Sequence, residues 1–159
     1  ERGEVDGALF ARMMSANVLG MAYGIEAALP LLRRSPHPQI AGISSTAGWR
    51  GLPQTAAYGA SKAAVRYMLE SLRVDLLPED IAVTIASPGF VRSPMTAGNT
   101  FPMPFLVDAD RAARIIVDGV ARRRHTVNFP AALCIGLRVL GWLPSPVYTR
   151  VIQTIAGQR

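Results

Sequence analysis

The chain has 159 residues, of which 50% are hydrophobic, so it is long enough to bury one core and too apolar to be a disordered segment. Its one cysteine excludes an internal disulfide framework and indicates a reducing, cytoplasmic location, while its two histidines lie too far from other ligand residues to predict a metal site. The net charge of +6 comes from the carboxyl-terminal part, because all eleven acidic residues lie at or before Asp118, whereas six arginines follow it.

The first predicted element is one long helix over residues 5 to 34. Apolar side chains recur there every three or four residues, which is the period of a helix with a buried face. Pro30 is expected to kink this helix or to end it early, and the Pro-rich sequence from Ser35 to Pro38 is a stop signal.

The next elements alternate between short apolar runs and amphipathic segments. Strands are predicted over residues 39 to 45, 81 to 87 and 126 to 129, and helices over 56 to 77 and 108 to 124. This alternation predicts an α/β fold with a parallel sheet, in which ligands bind beyond the carboxyl ends of the strands.

Lys62 is the only lysine in the chain, beside sixteen arginines, and it follows Tyr58 by one helical turn. That spacing places both side chains on one face of the predicted helix. A fixed ammonium beside a phenol stabilises the phenolate, which is how a tyrosine becomes a general acid/base. The alternative is a surface lysine beside a tyrosine that only packs.

Four short motifs follow one another in the chain, and their order and spacing are more specific than any one of them. They are Asn17-Val18-Leu19-Gly20, Ser44-Ser45-Thr46-Ala47-Gly48, Tyr58-Gly59-Ala60-Ser61-Lys62 and Ser87-Pro88-Gly89-Phe90-Val91. Together they resemble the short-chain dehydrogenase/reductase family, most securely over residues 10 to 95.

The resemblance implies a Rossmann-like doubly wound parallel sheet, of which this chain holds the carboxyl-terminal half, with about three strands and their flanking helices. The Gly-rich amino-terminal half is expected to be missing, since no Gly-x-x-x-Gly-x-Gly turn follows a strand and no residue selects the adenosine ribose. Residues 1 to 159 are then one partial domain, with residues 125 to 159 as an apolar, basic extension.

The same resemblance implies a role for each residue of the motifs. Tyr58 exchanges a proton with an alcohol or ketone, Lys62 supports it and binds the nicotinamide ribose of NAD or NADP, and Ser45 donates to the substrate oxygen. Asn17 holds a water of a proton relay. The nicotinamide is expected to be lined by Pro88, Gly89, Val91 and Ser93.

The missing Gly-rich turn leaves an alternative function open. The chain is then a non-catalytic fragment or an interaction module that does not bind the dinucleotide by itself.

The expected partners differ between the segments of the chain. The segment from 96 to 107 is rich in Met, Phe and Pro and suggests an apolar small-molecule substrate. Residues 119 to 159 suggest contact with a membrane surface, although a short arginine run is more often a solvated helix end. The family resemblance implies a homo-oligomer through helices 5–34 and 56–77. Three consecutive arginines without interleaved aromatics predict no nucleic-acid partner.

Overall fold

A computed structural model describes residues 4–99 and 101–157 of the chain. Within those residues, the strands β1 (Gln39–Ile43), β2 (Ala82–Pro88) and β3 (Thr126–Phe129) form one parallel sheet in the order β1-β2-β3. The predicted α/β class and the parallel sheet are confirmed. β1 ends two residues before the predicted limit, and β2 lies one residue later than predicted.

The predicted long amino-terminal helix is instead three consecutive helical segments. Helix α1 (Gly7–Met14) leads into a π-helical turn (Ser15–Leu19), and α2 (Gly20–Leu32) continues to the end. Asp6 caps α1, because its carboxylate accepts a hydrogen bond from the Leu9 amide at 2.9 Å. A π turn inserts one extra residue into the helical ladder, and no periodicity of apolar residues signals it.

The remaining helices of the predicted sheet units begin and end close to the predicted residues. Helix α3 (Ala56–Asp75) joins β1 to β2, and α5 (Ala109–Ala121) precedes β3. A short helix α4 (Pro94–Ala97), which was not predicted, follows β2. Helix α3 ends two residues before the predicted limit because a 3-10 turn containing Pro78 takes over.

The residues after β3 form two further helices, α6 (Ala131–Gly141) and α7 (Ser145–Ile155). The prolines that indicated breaks in the sequence stand at the beginnings of these helices, where a missing amide proton costs nothing. None of the helices in the described part of the chain is both long enough and apolar enough to span a bilayer.

Two hydrophobic clusters hold the helices on opposite faces of the sheet. On one face, Val65 and Leu69 of α3 pack on Ile40, Val83 and Ile85 of the strands, and the apolar face of the first helices covers them. On the other face, α5 packs on β2 and β3 through a cluster consisting of Ala86, Val107, Ala112, Val127 and Phe129. Helix α5 leaves this face of β1 open, since Ile43 remains 41% exposed.

Candidate active site

The carboxyl ends of β1 and β2 lie side by side and bring two of the sequence motifs together. The Ser44 amide, just after β1, donates to the Ala86 carbonyl of β2 at 2.8 Å. Ser45 follows, and its hydroxyl is 3.5 Å from the carbonyl oxygen of Pro88, the last residue of β2. The two motifs, far apart in the chain, therefore meet at one rim of the sheet, as expected for parallel strands.

Ser45 is buried, and its hydroxyl is also an acceptor. Its Oγ accepts from the Ala47 amide at 3.2 Å and so caps the 3-10 turn Thr46–Gly48. The contact with the Pro88 carbonyl is at the outer limit of hydrogen-bond length, so the Ser45 proton is only weakly held by the protein. A substrate oxygen nearby would accept that proton in a shorter bond.

Tyr58 and Lys62 lie on the first turns of α3, against the end of β1. The Lys62 ammonium donates to the Ile43 carbonyl, the last of β1, at 3.1 Å. Its Nζ atom is 5.9 Å from the centre of the Tyr58 ring, so one face of the helix carries both side chains. Burial lowers the pKa of Lys62 from its ordinary value.

Two buried serines fix the backbone around this pair, and neither was among the predicted site residues. The Ser44 hydroxyl donates to the Lys62 carbonyl at 2.8 Å, and the Ser61 hydroxyl donates to the Tyr58 carbonyl at 2.8 Å. Each serine precedes a predicted site residue directly in the sequence. Their place inside the quoted motifs, next to those residues, is the signal that the sequence offered for them.

Asn17 reaches the same place from the π-helical turn of the first helical run. Its Nδ2 donates to the Ser61 hydroxyl at 2.9 Å, one residue before Lys62. Single π turns within α-helices are frequent at functional sites. The Ser61 hydroxyl therefore joins the asparagine motif to the motif of Tyr58 and Lys62, because it accepts from Asn17 and donates to the Tyr58 carbonyl.

Glycine at position 48 allows the turn after β1 to lie directly on α3. A Cβ atom there would stand 2.7 Å from both the Lys62 carbonyl carbon and the Ala63 nitrogen, which are backbone atoms and do not yield easily. Gly48 thus sets how closely the Ser45 turn approaches the helix of Tyr58 and Lys62.

The residues expected to line a nicotinamide divide into two pairs. Pro88 and Gly89 lie at the rim, where the Gly89 amide donates to the Phe129 carbonyl at 2.7 Å. Val91 and Ser93 lie in the segment that follows, and their contacts run within it. Val91 forms a parallel bridge with Val107, and the Ser93 amide donates to the Thr96 hydroxyl at 2.9 Å.

Residues 2–101 match the family model described as short chain dehydrogenase. The chain belongs to the short-chain dehydrogenase family. Among curated relatives of this family member, an uncharacterized oxidoreductase of Myxococcus xanthus is 41% identical over 136 residues, which are 86% of this chain and 54% of that protein. The 11-beta-hydroxysteroid dehydrogenase 1A of Arabidopsis thaliana is 33% identical over 137 residues, 75% of this chain and 38% of that protein.

Solved structures show the same fold for this short-chain dehydrogenase chain. A short chain dehydrogenase from Burkholderia cenocepacia in complex with NADP superposes with a TM-score of 0.80 at 22% identity, over 93% of this chain and 61% of that one. The Pseudomonas aeruginosa RhlG/NADP active-site complex gives a TM-score of 0.67 at 28% identity, over 79% and 57%. The Rossmann-like fold is confirmed, and the chain spans about half the length of the curated relatives it matches.

Two features of the described residues bear on the binding of a dinucleotide. The Lys62 ammonium has three protons, and the Ile43 carbonyl takes one, so two protons remain to donate to a bound ligand. The pyrophosphate and adenosine need a glycine-rich turn between a strand and a helix. Within residues 4–99 and 101–157, the strand-to-helix connections hold Gly48 and Gly51 after β1 and Gly89 after β2, so none of them contains a Gly-x-x-x-Gly-x-Gly turn.

We predict that Gly48→Ala destabilises the protein, because the added methyl group meets backbone atoms of α3. The expected loss in the free energy of unfolding is about 1–3 kcal/mol, as for overpacked sites. Chemical denaturation measures it. Gly51→Ala is the matched control, because a Cβ atom at Gly51 meets nothing within 4 Å. Equal stabilities of the two variants would contradict the close approach described above.

Proposed function

We propose that the protein carrying this chain is an NAD(P)-dependent oxidoreductase that interconverts an alcohol and a ketone, with Tyr58 as the general acid/base. The observation that carries the proposal is the position of the Lys62 ammonium, 5.9 Å from the Tyr58 ring at the carboxyl end of β1 and bonded to Ile43. Ser45 follows that strand end by two residues. A phenol, an ammonium and a hydroxyl at one rim suit proton transfer at a carbonyl oxygen.

Each side chain has one part of the proton transfer. During reduction, the Tyr58 hydroxyl gives its proton to the substrate oxygen, and the Lys62 ammonium stabilises the phenolate that remains. Ser45 donates its weakly held proton to the same substrate oxygen and so stabilises the charge that develops there. During oxidation the steps run in reverse, and the phenolate takes the proton of the alcohol.

Asn17 is assigned to the return path of the proton. Its carboxamide is fixed to the hydroxyl of Ser61, the residue that precedes Lys62 in α3. We propose that it holds a water that connects Lys62 to solvent. Support for this role is the position of Asn17 in a π turn, a feature that is frequent at functional sites.

NADH or NADPH would supply the hydride to the carbonyl carbon in reduction, NAD⁺ or NADP⁺ would accept it in oxidation, and Lys62 would hold the nicotinamide ribose. We assign Pro88, Gly89, Val91 and Ser93 to the nicotinamide wall, since the first two follow the rim beside Ser45. Solved relatives in complex with NADP and with NAD support this class of cofactor.

The substrate is proposed to be apolar, because the segment after β2 presents apolar side chains to solvent. Met95 is 78% exposed, and Phe101 and Phe105 are exposed as well. The rings of Phe90 and Phe101 lie 6.1 Å apart in a tilted pair, which connects this segment to the end of β2. An uncovered apolar segment beside the proposed site favours a substrate that would cover it.

We predict that Tyr58→Phe lowers kcat about 10²- to 10⁴-fold in the protein that carries this chain, because the variant keeps the ring and loses the proton donor. Steady-state turnover of ketones with NADPH and NADH measures it. Tyr67→Phe is the control, since Tyr67 lies exposed on the same helix.

Near-normal turnover by Tyr58→Phe would remove Tyr58 from the mechanism. If the parent protein neither turns over ketones nor binds NADH or NADPH in a fluorescence titration, the alternative is favoured. In that case the chain is a non-catalytic module. The exposed face of β1 at Ile43 favours this alternative, because a binding partner would cover it.

We also propose that the protein is a homo-oligomer through the outer faces of the first helical run and α3. Leu19 and Tyr23 are exposed on the first, and Tyr67 and Val74 are exposed on the second. Large apolar side chains on adjacent helices suit burial against a second subunit.

We predict that Tyr67→Glu dissociates this oligomer, because an isolated carboxylate is costly inside an apolar interface. Light scattering coupled to size-exclusion chromatography measures the mass. Val117→Glu on α5, also at an exposed apolar position, is the control. An unchanged mass of the Tyr67→Glu protein, or a monomeric parent, would rule out this interface.

A membrane contact is proposed for α6 rather than for the whole tail. The arginine run does not form a free basic patch, because Arg122 pairs with Asp118 at 2.8 Å and Arg123 pairs with Asp80 at 3.1 Å. These ion pairs favour the interpretation of the arginine run as a solvated helix end. Helix α6 instead exposes an apolar stripe consisting of Ile135, Val139 and Trp142. No acidic residue follows Asp118 in the sequence, which favours an anionic lipid surface.

We predict that Trp142→Ser weakens cosedimentation with vesicles containing phosphatidylserine, because Trp142 is 85% exposed at the end of the stripe. Vesicle sedimentation measures the bound fraction. Val117→Ser removes an exposed apolar side chain from α5 and is the control. Equal binding by the two variants, or no binding by the parent protein, would end the membrane proposal.

A further inference from the structure

The helices α6 and α7 are attached to the loop that connects Ser45 to Tyr58, although about ninety residues separate the two parts in the chain. The attachment is made mainly by two side chains, Arg50 of the loop and Tyr148 of α7. Neither residue was singled out by the sequence motifs.

Arg50 binds the end of α6 through one nitrogen. Its Nη1 donates to the carbonyls of Leu140 at 3.3 Å, Gly141 at 2.6 Å and Leu143 at 2.9 Å. The last carbonyls of a helix have no partner within the helix and carry the negative end of its dipole. A guanidinium placed there satisfies the carbonyls and is itself stabilised.

Tyr148 completes the attachment in the opposite direction. Its ring lies beneath the Arg50 guanidinium, 3.8 Å from the guanidinium carbon to the ring centre. Its hydroxyl donates to the Gly51 carbonyl at 2.6 Å. Burial raises the pKa of the Tyr148 phenol, although the charge of Arg50 acts in the opposite direction. Because the pKa is raised, the hydroxyl keeps its proton and remains a donor. Arg50 of the loop thus binds the end of α6, and Tyr148 of α7 binds the loop in return.

The other end of α6 lies at the rim of the sheet. A Cβ atom at Gly89 would collide with the Leu133 side chain in the first turn of α6. With eleven residues, α6 is about 16 Å long, which is the distance it bridges between the turn after β2 and the loop after Ser45. The turn at Gly89, which is assigned to the nicotinamide wall, and the loop that follows Ser45 therefore contact the same helix.

A second link joins the loop to α3 and to α6. The Arg66 guanidinium of α3 lies 5.8 Å from the Trp49 ring, and that of Arg138 of α6 lies 5.3 Å from it. These contacts are weaker than those of Arg50, because the guanidinium carbons stand near the limit for cation–π attraction. They place Trp49 between the two helices.

We infer that Arg50 is a positioning residue, which with Tyr148 clamps residues 49 to 51 onto α6 and α7 and so fixes Ser45 relative to Tyr58. The inference rests on the proposed function. We call these two side chains the Arg50–Tyr148 clamp. Its consequence for the reaction is geometric, since a displacement of about 1 Å between reacting groups costs about 10²-fold in rate.

The test uses the protein that carries this chain, with variants Arg50→Ala, Arg50→Lys and Tyr148→Phe. Arg150→Ala is the matched control, because Arg150 is an exposed arginine on the same helix as Tyr148. The measurements are kcat and KM, the Kd for NADPH or NADH, and amide hydrogen exchange over residues 49 to 57. Tyr148→Phe loses only a hydroxyl, so it serves if Arg50→Ala does not fold.

The inference predicts that Arg50→Ala lowers kcat about 10- to 100-fold and speeds exchange over residues 49 to 57, with the cofactor Kd within about twofold of the parent value. Arg50→Lys should recover part of kcat, since an ammonium still donates to the α6 carbonyls but loses the stacking on Tyr148. Tyr148→Phe should act in the same direction with a smaller change. Arg150→Ala should match the parent protein.

Two results would overturn the inference in different ways. If the parent protein is active and Arg50→Ala and Tyr148→Phe keep its kcat while only their melting temperatures fall, the clamp has a structural role alone. If the parent protein has no turnover, the proposed function fails and the positioning role fails with it. In that second case faster exchange in Arg50→Ala still identifies the clamp as a structural contact.

Discussion

The direct packing of the turn after β1 on the first turns of α3 is the constraint on which the site depends. Gly48 leaves room for this approach, and the Ser44 hydroxyl closes it by donating to the Lys62 carbonyl at 2.8 Å. With the two backbones in contact, the Lys62 side chain reaches the end of β1, where its ammonium donates to the Ile43 carbonyl. A looser contact would separate Ser45 from the helix that carries Tyr58 and Lys62.

The sequence predicted the elements and the meeting of the motifs because both follow from local rules. Strands and helices alternate with clear apolar periods, and parallel strands end at one rim, so Ser45 and Pro88 were expected at the same rim. The helical offset from Tyr58 to Lys62 needs only the geometry of one helix. Family membership then follows from the match over residues 2–101.

The contacts that the sequence did not predict are those between distant side chains. Asn17 reaches α3 through a π turn, which leaves no mark in the apolar period. Arg50 and Tyr148 meet across about a hundred residues, and an arginine or a tyrosine in a loop or tail has many alternative partners. In the sequence, the prolines after β3 indicated breaks in an apolar segment. In the structure, the same prolines lie at the beginnings of α6 and α7.

The contact between Gly89 and Leu133 ties two segments that must change together in evolution. A side chain at position 89 would need the space that Leu133 occupies, so it calls for a smaller residue at position 133 or a displaced α6. Homologous proteins that differ at one of these positions are therefore expected to differ at the other. A pair of this kind links the part of the chain that carries the family's motifs to a tail that lies outside them.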